Sequence, residues 1–393
     1  MADAVAAAHV HQLELPRPEH PIPQGSFMKR LPSRLLRNSI VAACIATTAA
    51  LLVSATAWAQ AGNASGKLKV YFVDVEGGQS TLFVTPAGQS LLIDTGWPDH
   101  DYRDADRIAA VAKDAGISKI DYVLLTHYHD DHVGGVPQLV QRIPVGTFID
   151  HGPNRELDKG ITEKGYALYQ KVLADGKYKH ILAKPGDVLP IAGIHATIVS
   201  ADGNLLQKPL PRGGSPNPYC ASSEKRPADQ TENSRSVGLQ ITFGSLKMLD
   251  LGDLTWDKEM QLMCPVNKLG RVNVLIVSHH GWYQSSSPAL VDAVHARVAI
   301  MDNGEKKGGS TPTLETLSKA PGLETLWQLH YSAEGGAAHN TAAEYIANPL
   351  GPDAGHFIEL TGSKDGSFDV VNSRTGVSKH YGAGPRAQQA VSR

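Results

Sequence analysis

Side chains of the kinds that bind metal ions are concentrated in His127-Tyr128-His129-Asp130-Asp131-His132, and four of these six residues, His127, His129, Asp131 and His132, are the candidate ligands. On an extended loop, residues two apart point to the same side, so His127 and His129 can approach one ion together. Asp131 and His132 follow where the chain bends into Val133-Gly134-Gly135 and can face a second ion. This mixture of imidazole and carboxylate suits zinc, or manganese or iron at a harder site.

The elements around this segment predict a single α/β domain. The apolar run Asp121–Thr126 predicts a buried strand that ends where the histidine segment begins, which argues against a solvated His-rich surface loop. Residues Arg103–Ala115 have helical apolar spacing and stop at Gly116. Other short apolar runs bounded by Gly and Pro predict further strands. Residues 201–232, rich in Pro, Gly, Ser and Lys, predict an inserted surface loop.

Further motifs make the chain resemble the metallo-β-lactamase-fold hydrolases. His-x-His-x-Asp-His after a strand is the signature of that family, and the resemblance covers essentially all of residues 67–380. The branch that it resembles includes the hydrolase domain of the competence protein ComEC. The motifs that carry the likeness to this branch are Phe72–Ser80, Leu92–Gly96, Leu251-Gly252-Asp253 and Val277-Ser278-His279-His280-Gly281. The resemblance implies a four-layer αββα sandwich in one domain.

The resemblance also implies a role for each candidate ligand. His127 and His129 would hold the first metal, Asp131 and His132 the second, and Asp253 would bridge the two. One of His279 and His280 would complete the second site, and we favour His279 because it is the first after the strand. The motif makes Asp94 an orienting group behind the metal loop rather than a ligand.

One position departs from the family pattern. Many members carry a third histidine for the first metal before the bridging Asp, and this chain has none in the matching segment Glu232–Val237. Asn233 is the candidate substitute in that segment; the alternative is that Asn233 is a turn residue that opens the next strand. Because an amide oxygen binds zinc weakly, one or two ions are expected.

The resemblance predicts hydrolysis. Two ions about 3.5–4 Å apart share a water whose pKa falls to about 7, which supplies a hydroxide for attack with no serine or cysteine nucleophile. The fold supports cleavage of ester, phosphodiester, lactone or amide bonds, so it does not identify the substrate. Asp131 and Asp253 are then the catalytic carboxylates. The alternative hypothesis is a secreted, non-enzymatic binding protein on a degenerate scaffold, and the missing third histidine supports it.

Two histidines outside these motifs are candidates for the substrate cleft. His151 follows the predicted strand Val145–Asp150, which should end near the metal loop. His339 lies near a Gly-rich turn in the carboxyl-terminal part. Either is a candidate to touch the metal or the substrate.

The amino-terminal segment predicts export. Residues 1–27 form an upstream extension, and residues 28–59 predict a signal peptide with four basic residues, an apolar stretch at Ile40–Val53 and the small-x-small site Ala57-Trp58-Ala59. Cleavage there leaves the hydrolase domain at 60–393 in a secreted or periplasmic protein with no stable membrane span. An uncleaved anchor is the alternative, because Ile40–Ala59 approaches the roughly 20 residues that cross a bilayer. A lipoprotein site at Cys44 is a further alternative.

In an oxidising compartment the remaining cysteines, Cys220 and Cys264, are expected to form a disulfide rather than two separate thiols. The formal net charge is −2, and the mildly acidic body after residue 60 does not favour nucleic acid as a partner, since such binding depends on Lys and Arg. A local basic groove on the surface would still allow nucleic acid to bind. A small-molecule or phosphodiester substrate is expected.

Overall fold

Nineteen strands and eight α-helices make up the part of the chain that the computed structural model describes, residues 66–98, 100–156, 160 and 162–384. The strands are Leu68–Phe72 (β1), Thr81–Val84 (β2), Ser90–Ile93 (β3), Ile120–Leu124 (β4), Val145–Asp150 (β5), Lys179–Leu182 (β6), His195–Ala201 (β7), Asn204–Leu205 (β8), Ser215–Pro216 (β9), Gly238–Phe243 (β10), Leu246–Asp250 (β11), Val266–Asn267 (β12), Val274–Ile276 (β13), Val298–Met301 (β14), Thr325–His330 (β15), Ile346–Asn348 (β16), Ile358–Gly362 (β17), Phe368–Asn372 (β18) and Ser378–Tyr381 (β19). The helices are Arg103–Asp114 (α1), Asp130–Val133 (α2), Val136–Arg142 (α3), Glu163–Ala174 (α4), Trp256–Met263 (α5), Pro288–Val294 (α6), Thr311–Lys319 (α7) and Gly336–His339 (α8).

Two large sheets organise these elements. The first has nine strands in the order β19-β18-β17-β1-β2-β3-β4-β5-β6, and the second has eight in the order β16-β15-β14-β13-β11-β10-β7-β8. Strands β3 to β6 run parallel to one another, and so do β11, β13, β14, β15 and β16. A small third sheet pairs β9 with β12.

Three apolar clusters show how the sheets and helices pack. The central cluster takes side chains from both sheets, such as Phe72 and Ile93 from the first and Met248 and Trp327 from the second, so the sheets pack face to face. The outer face of the first sheet packs with helices α1, α3 and α4. The outer face of the second packs with α5, α6 and α7. The result is the predicted four-layer αββα sandwich.

The helix α1 illustrates how local sequence produces an element. Its buried side chains include Ile108, Val111 and Ala112, which recur on one face and contact the first sheet. Gly116 lies just after the helix with φ of 76°, a left-handed conformation that ends helices and favours glycine. This boundary agrees with the predicted one.

The amino-terminal predictions lie outside the described residues: the upstream extension at 1–27, the signal peptide at 28–59 and the site at Cys44. They stay predictions. Among the residues that the structure describes, no helix is both long enough and apolar enough to cross a bilayer.

Candidate metal centre

The metal-ligand candidates meet at one edge of the sandwich. The histidine segment 127–132 follows β4 of the first sheet, while Asp253 follows β11 and His279 follows β13 of the second. Strands β11 and β13 are parallel, so their carboxyl ends lie at the same edge. The backbone N–H of Val237 donates to the carbonyl of Thr126 (2.8 Å), which joins the two sheets beside the histidine segment.

A glycine allows the amino-terminal strands to approach this edge. The turn between β1 and β2 contains Gly77-Gly78, and a Cβ added at Gly78 would lie 2.4 Å from the backbone oxygen of Asp131. The next residue, Gln79, donates its backbone N–H to that oxygen (3.2 Å). Gly78 is therefore required by close packing against the metal loop.

Four buried side chains form what we call the four-donor cluster: Asp131, His132, Asp253 and His280, with one donor atom of each within 4.8 Å of the others. The Oδ2 atom of Asp131 is 3.1 Å from Nε2 of His280 and 3.2 Å from Nε2 of His132. Asp253 Oδ2 is 3.3 Å from Nε2 of His132. The cluster combines imidazole nitrogens with carboxylate oxygens, a donor set that suits zinc and related ions.

His127 and His129 form a further pair of nitrogen donors near Asp253. His127 Nε2 and His129 Nδ1 are 3.0 Å apart, and His127 Nε2 is 3.8 Å from Asp253 Oδ2. Burial, reinforced by the charge of His132, holds the pKa of His127 well below its usual range, which keeps the imidazole neutral. Asp253 Oδ2 thus faces both the four-donor cluster and the His127–His129 pair.

The electrostatics of Asp253 favour its carboxylate form. Burial alone would raise the pKa of this carboxyl group, but the charges of His279, His132 and His280 outweigh burial and hold the pKa well below its usual range. Its Oδ1 atom is buried without a hydrogen-bond partner among the described residues. A buried carboxylate oxygen with no partner is costly unless a cation compensates it.

Hydrogen bonds from outside the cluster orient its histidines. Asp94 Oδ2 is 2.7 Å from Nδ1 of His132 and accepts a hydrogen bond from the hydroxyl of Thr126 (2.7 Å). Thr126 Oγ1 is also 3.1 Å from Nδ1 of His127. With Nδ1 of each ring turned toward these oxygens, each Nε2 is left as the atom that faces the site. Asp94 thus lies beside Nδ1 of His132, and its orienting role stays a prediction.

The structure places His280, and not the favoured His279, in the four-donor cluster. Both residues adopt left-handed backbone conformations, with φ of 57° at His279 and 54° at His280. His280 then faces Asp131, whereas His279 Nε2 lies 3.4 Å from Asp253 Oδ2 and 3.4 Å from Nδ2 of Asn233. These backbone angles bring His280 to Asp131 and leave His279 beside Asp253, and the choice of the metal ligand between the two histidines stays a prediction.

Asn233 contacts the site through His279. Its Nδ2 is the atom near His279, and its Oδ1 is buried with no hydrogen-bond partner among the described residues. The role of Asn233 as a substitute ligand beside His127 and His129 stays a prediction.

His151 and His339 make their contacts elsewhere. His151 Nε2 pairs with Glu232 Oε2 (2.9 Å) in a fully buried contact, and its ring packs 4.5 Å from that of Tyr128. His339 Nδ1 is 3.1 Å from the carbonyl of Gly335, and its Nε2 is 3.5 Å from Glu315. Neither belongs to the four-donor cluster.

Three residues that the sequence analysis missed touch the ligand candidates. Glu156 Oε2 is 3.4 Å from Nε2 of His129, and Asp302 Oδ1 is 3.5 Å from Nδ1 of His280. Lys307 contacts Oδ2 of Asp131, and its Nζ donates to the carbonyl of Gly77 (2.8 Å). Against the raising effect of burial, Lys307 and His132 hold the pKa of Asp131 well below its usual range. The Lys306-Lys307 pair between glycines was the available sequence signal.

Cys220 lies in the insertion, and Cys264 directly follows helix α5. Cys220 and Cys264 form a disulfide, with Cα atoms 5.8 Å apart. The insertion is not wholly irregular, since it contains β8 and β9.

The donor set fits a metal ion. A metal ion that replaced the proton on Nε2 of His132 would leave Nδ1–H to donate to Asp94, and Nε2 of His280 lies only 3.2 Å from that Nε2 atom. A cation among these nitrogens and the carboxylates of Asp131 and Asp253 would satisfy all of them.

The chain combines a four-layer αββα fold with a histidine and carboxylate site at one edge of the sheets. Residues 74–207 match the family model described as the metallo-beta-lactamase superfamily.

Three curated relatives share parts of the chain. A hydroxyacylglutathione hydrolase of Stenotrophomonas maltophilia is 35% identical over 32% of this chain and 44% of the relative. An atrochrysone carboxyl ACP thioesterase of a Cryptosporiopsis species is 38% identical over 20% of this chain and 24% of the relative. ComE operon protein 3 of Bacillus subtilis is 23% identical over 61% of this chain and 29% of the relative. The chain thus spans less than half the length of these relatives.

Proposed function

We propose that this protein is an exported, metal-dependent hydrolase that cleaves an ester, thioester, phosphodiester, lactone or amide bond. The observation that carries the proposal is the position of Asp253, which belongs to the four-donor cluster and whose Oδ2 also faces His127 of the His127–His129 pair. The superfamily match and the names of two relatives, a hydrolase and a thioesterase, support hydrolysis.

The ligand assignment follows from the contacts. Asp131, His132 and His280 would hold one ion with Asp253, and His127 and His129 would hold a second that shares Asp253. Zinc is the expected metal, with manganese or iron as alternatives. When bound, such an ion supplies Lewis-acid activation of water and of the oxygen of the scissile bond.

The chain's own residues prepare the site for this chemistry. Asp94 and Thr126 fix the ring orientations of His132 and His127, so their donor atoms need no reorganisation on binding. The ammonium of Lys307 lies beside Asp131, and the side chain is a quarter exposed, so Lys307 is a candidate to contact a negatively charged oxygen of a substrate.

Two substrate classes have specific support. The motifs of the ComEC-like branch and the similarity to ComE operon protein 3 over 61% of this chain favour a phosphodiester. The similarity to the hydroxyacylglutathione hydrolase and to the thioesterase favours a thioester. We assign the chain to the ComEC-like branch and expect phosphodiester cleavage, with the thioester as the second candidate.

The test combines metal analysis with a substrate panel. Purified mature protein would be measured for zinc, manganese and iron, then assayed with a p-nitrophenyl phosphodiester, a hydroxyacyl thioester, a lactone and a β-lactam. We expect bound metal and activity on the phosphodiester. Protein that takes up no metal and cleaves none of these substrates would instead favour the non-enzymatic binding protein.

A matched pair of variants tests the ligand assignment. His280→Ala should lose metal from the four-donor cluster, whereas His279→Ala should retain that ion, because His279 lies outside the cluster. Asp175→Ala, at an exposed position, is the control and should retain the ion as the wild type does. If His279→Ala loses the ion and His280→Ala keeps it, the assignment is wrong.

A further inference from the structure

A cavity lies at the amino ends of β11 and β13, opposite the ends that Asp253 and His280 follow. It has a volume of about 1130 Å³, and Lys247, Asn273 and Arg297 are among its lining residues. Lys247 is in the first half of β11, and Asn273 and Arg297 directly precede β13 and β14. The four-donor cluster follows the carboxyl ends of β11 and β13. Since each residue of a strand advances about 3.3 Å, the length of the strands separates the two sites.

The walls of this cavity are rich in positive charge, and we call it the basic cavity. Its lining includes Arg212, Lys247, Arg271 and Arg297, against a single acidic residue, Asp365. The Asp365 carboxylate already accepts hydrogen bonds from the backbone and hydroxyl of Ser367 (2.9 and 2.7 Å).

The cations of the basic cavity are poorly compensated. Arg297 pairs with Glu324 (2.6 Å), but within the described residues neither Arg212 nor Arg271 forms an ion pair. The Lys247 ammonium donates to the carbonyl of Pro211 (3.2 Å), which is a neutral acceptor. The body of the protein is mildly acidic, so this group of cations is a local departure from its charge.

Repulsion between the cations adds to burial in lowering the pKa values of two groups that line the basic cavity. Burial, and then the charge of Arg212, lowers the pKa of Lys247. Burial, and then the charge of Arg271, lowers the pKa of His295, which also lines the cavity. An anion placed among them would oppose the repulsive part of both shifts, because an opposite charge favours the protonated form.

We propose that the basic cavity binds a small, multiply charged phosphate compound, such as an oligophosphate, independently of the metal centre. Two guanidinium groups without ion pairs match the oxygens of phosphate groups, since each presents donors in a planar fork. The concave shape and limited volume fit a compact ligand. A long nucleic acid would need an extended basic surface, which an acidic body does not provide.

Calorimetric titration with sodium tripolyphosphate at constant ionic strength tests the proposal. The full-length protein and its Asp253→Ala variant should both bind one tripolyphosphate, because Asp253 belongs to the other edge. Lys247→Met and Arg271→Gln should each weaken binding by about tenfold or more, as expected for hydrogen bonds to a charged group. Lys319→Ala, which removes an exposed cation on α7, should change nothing.

Each other outcome overturns the proposal. Absence of saturable binding to the full-length protein, or equal weakening by Lys319→Ala, would mean that no specific site exists. Loss of binding in Asp253→Ala alone would mean that the phosphate binds at the metal centre. If a single-stranded oligonucleotide binds more tightly than tripolyphosphate and is lost in the same variants, the cavity is part of a nucleic-acid surface. Arg271 is exposed, so Arg271→Gln keeps the test valid if Lys247→Met fails to fold.

Discussion

The Nδ1 atom of His132 lies 2.7 Å from Oδ2 of Asp94, and both side chains are fully buried. The same carboxylate accepts hydrogen bonds from the hydroxyl and the backbone N–H of Thr126. Burial raises the pKa of the Asp94 carboxyl group, although His132 and Thr126 oppose that effect. Asp94 therefore fixes one ring of the four-donor cluster without being a member of it.

Replacing this carboxylate should weaken metal binding while the ligands remain. In Asp94→Asn, the amide oxygen carries no charge, so we expect metal affinity to fall roughly 10- to 100-fold, as for other partners of metal-bound histidines. Competition with a chromogenic chelator measures the change. Asp106→Asn, which alters a carboxylate paired with Arg142 on the surface, is the control and should leave affinity unchanged. Wild-type affinity in Asp94→Asn would contradict the orienting role.

Loss of Asp253 should be the most damaging single change at the site. Asp253→Ala removes the oxygen that faces both donor groups, so we expect the protein to lose most of its metal at both positions and all measurable activity. Asn233→Ala should cost less, and chiefly in occupancy beside His127 and His129. Elemental analysis of the two variants in parallel measures how much metal each one retains per protein chain. Equal metal loss in both would show that Asp253 has no bridging role.

Local sequence predicted the candidate ligands of the segment His127–His132 because they are close together in the chain. The segment His127–His132 needs only an extended loop after a buried strand, and both features are visible in the sequence. The choice between His279 and His280 depends on two consecutive left-handed backbone conformations, which no side-chain pattern specifies. Such strained conformations are frequent at functional sites.

Long-range contacts account for what the sequence did not predict. Lys307 reaches Asp131 because the loop after β14 folds back, where the backbone N–H of Gly309 donates to the carbonyl of His280 (2.9 Å). Helix α7 was also missed, since only Thr313, Leu314 and Leu317 are buried in it. The edge strand β6 is mostly exposed and therefore carries no alternating pattern.

Reduction of the disulfide should destabilise the insertion and the protein. Cys220 and Cys264 are 44 residues apart, so the closed loop contributes about 4 kcal/mol in the chain-entropy model. We expect alkylation of both thiols only after reduction, as seen by mass spectrometry, together with a lower melting temperature in reductant. In the double variant Cys220→Ser, Cys264→Ser, reductant should not change the melting temperature. Alkylation of both residues in the native, unreduced protein would contradict the disulfide.

Export should remove the basic amino-terminal segment. The small residues Ala57 and Ala59 flank Trp58 as a signal peptidase requires, so the mature protein is expected to begin at Gln60 or within a few residues of it. Amino-terminal sequencing of protein from the periplasm or medium measures this. Ala57→Leu should retain the precursor, because the cleavage site needs a small residue there. A mature protein that still contains Arg37 would contradict cleavage.

The buried carboxyl group of Glu259 should make stability depend on pH. Burial raises its pKa to about 7, although the backbone N–H groups of Ser286 and Ser287 stabilise the charged form. Between its unfolded pKa of about 4.3 and the folded value, the native state holds a proton that the unfolded state releases. The free energy of unfolding therefore falls as pH rises through this range, by an amount on the order of 3 kcal/mol. Urea unfolding at pH 4 and pH 8 should show the loss in the wild type and a smaller loss in Glu259→Gln, which cannot ionise. The same pH dependence in both proteins would show that Glu259 keeps an ordinary pKa.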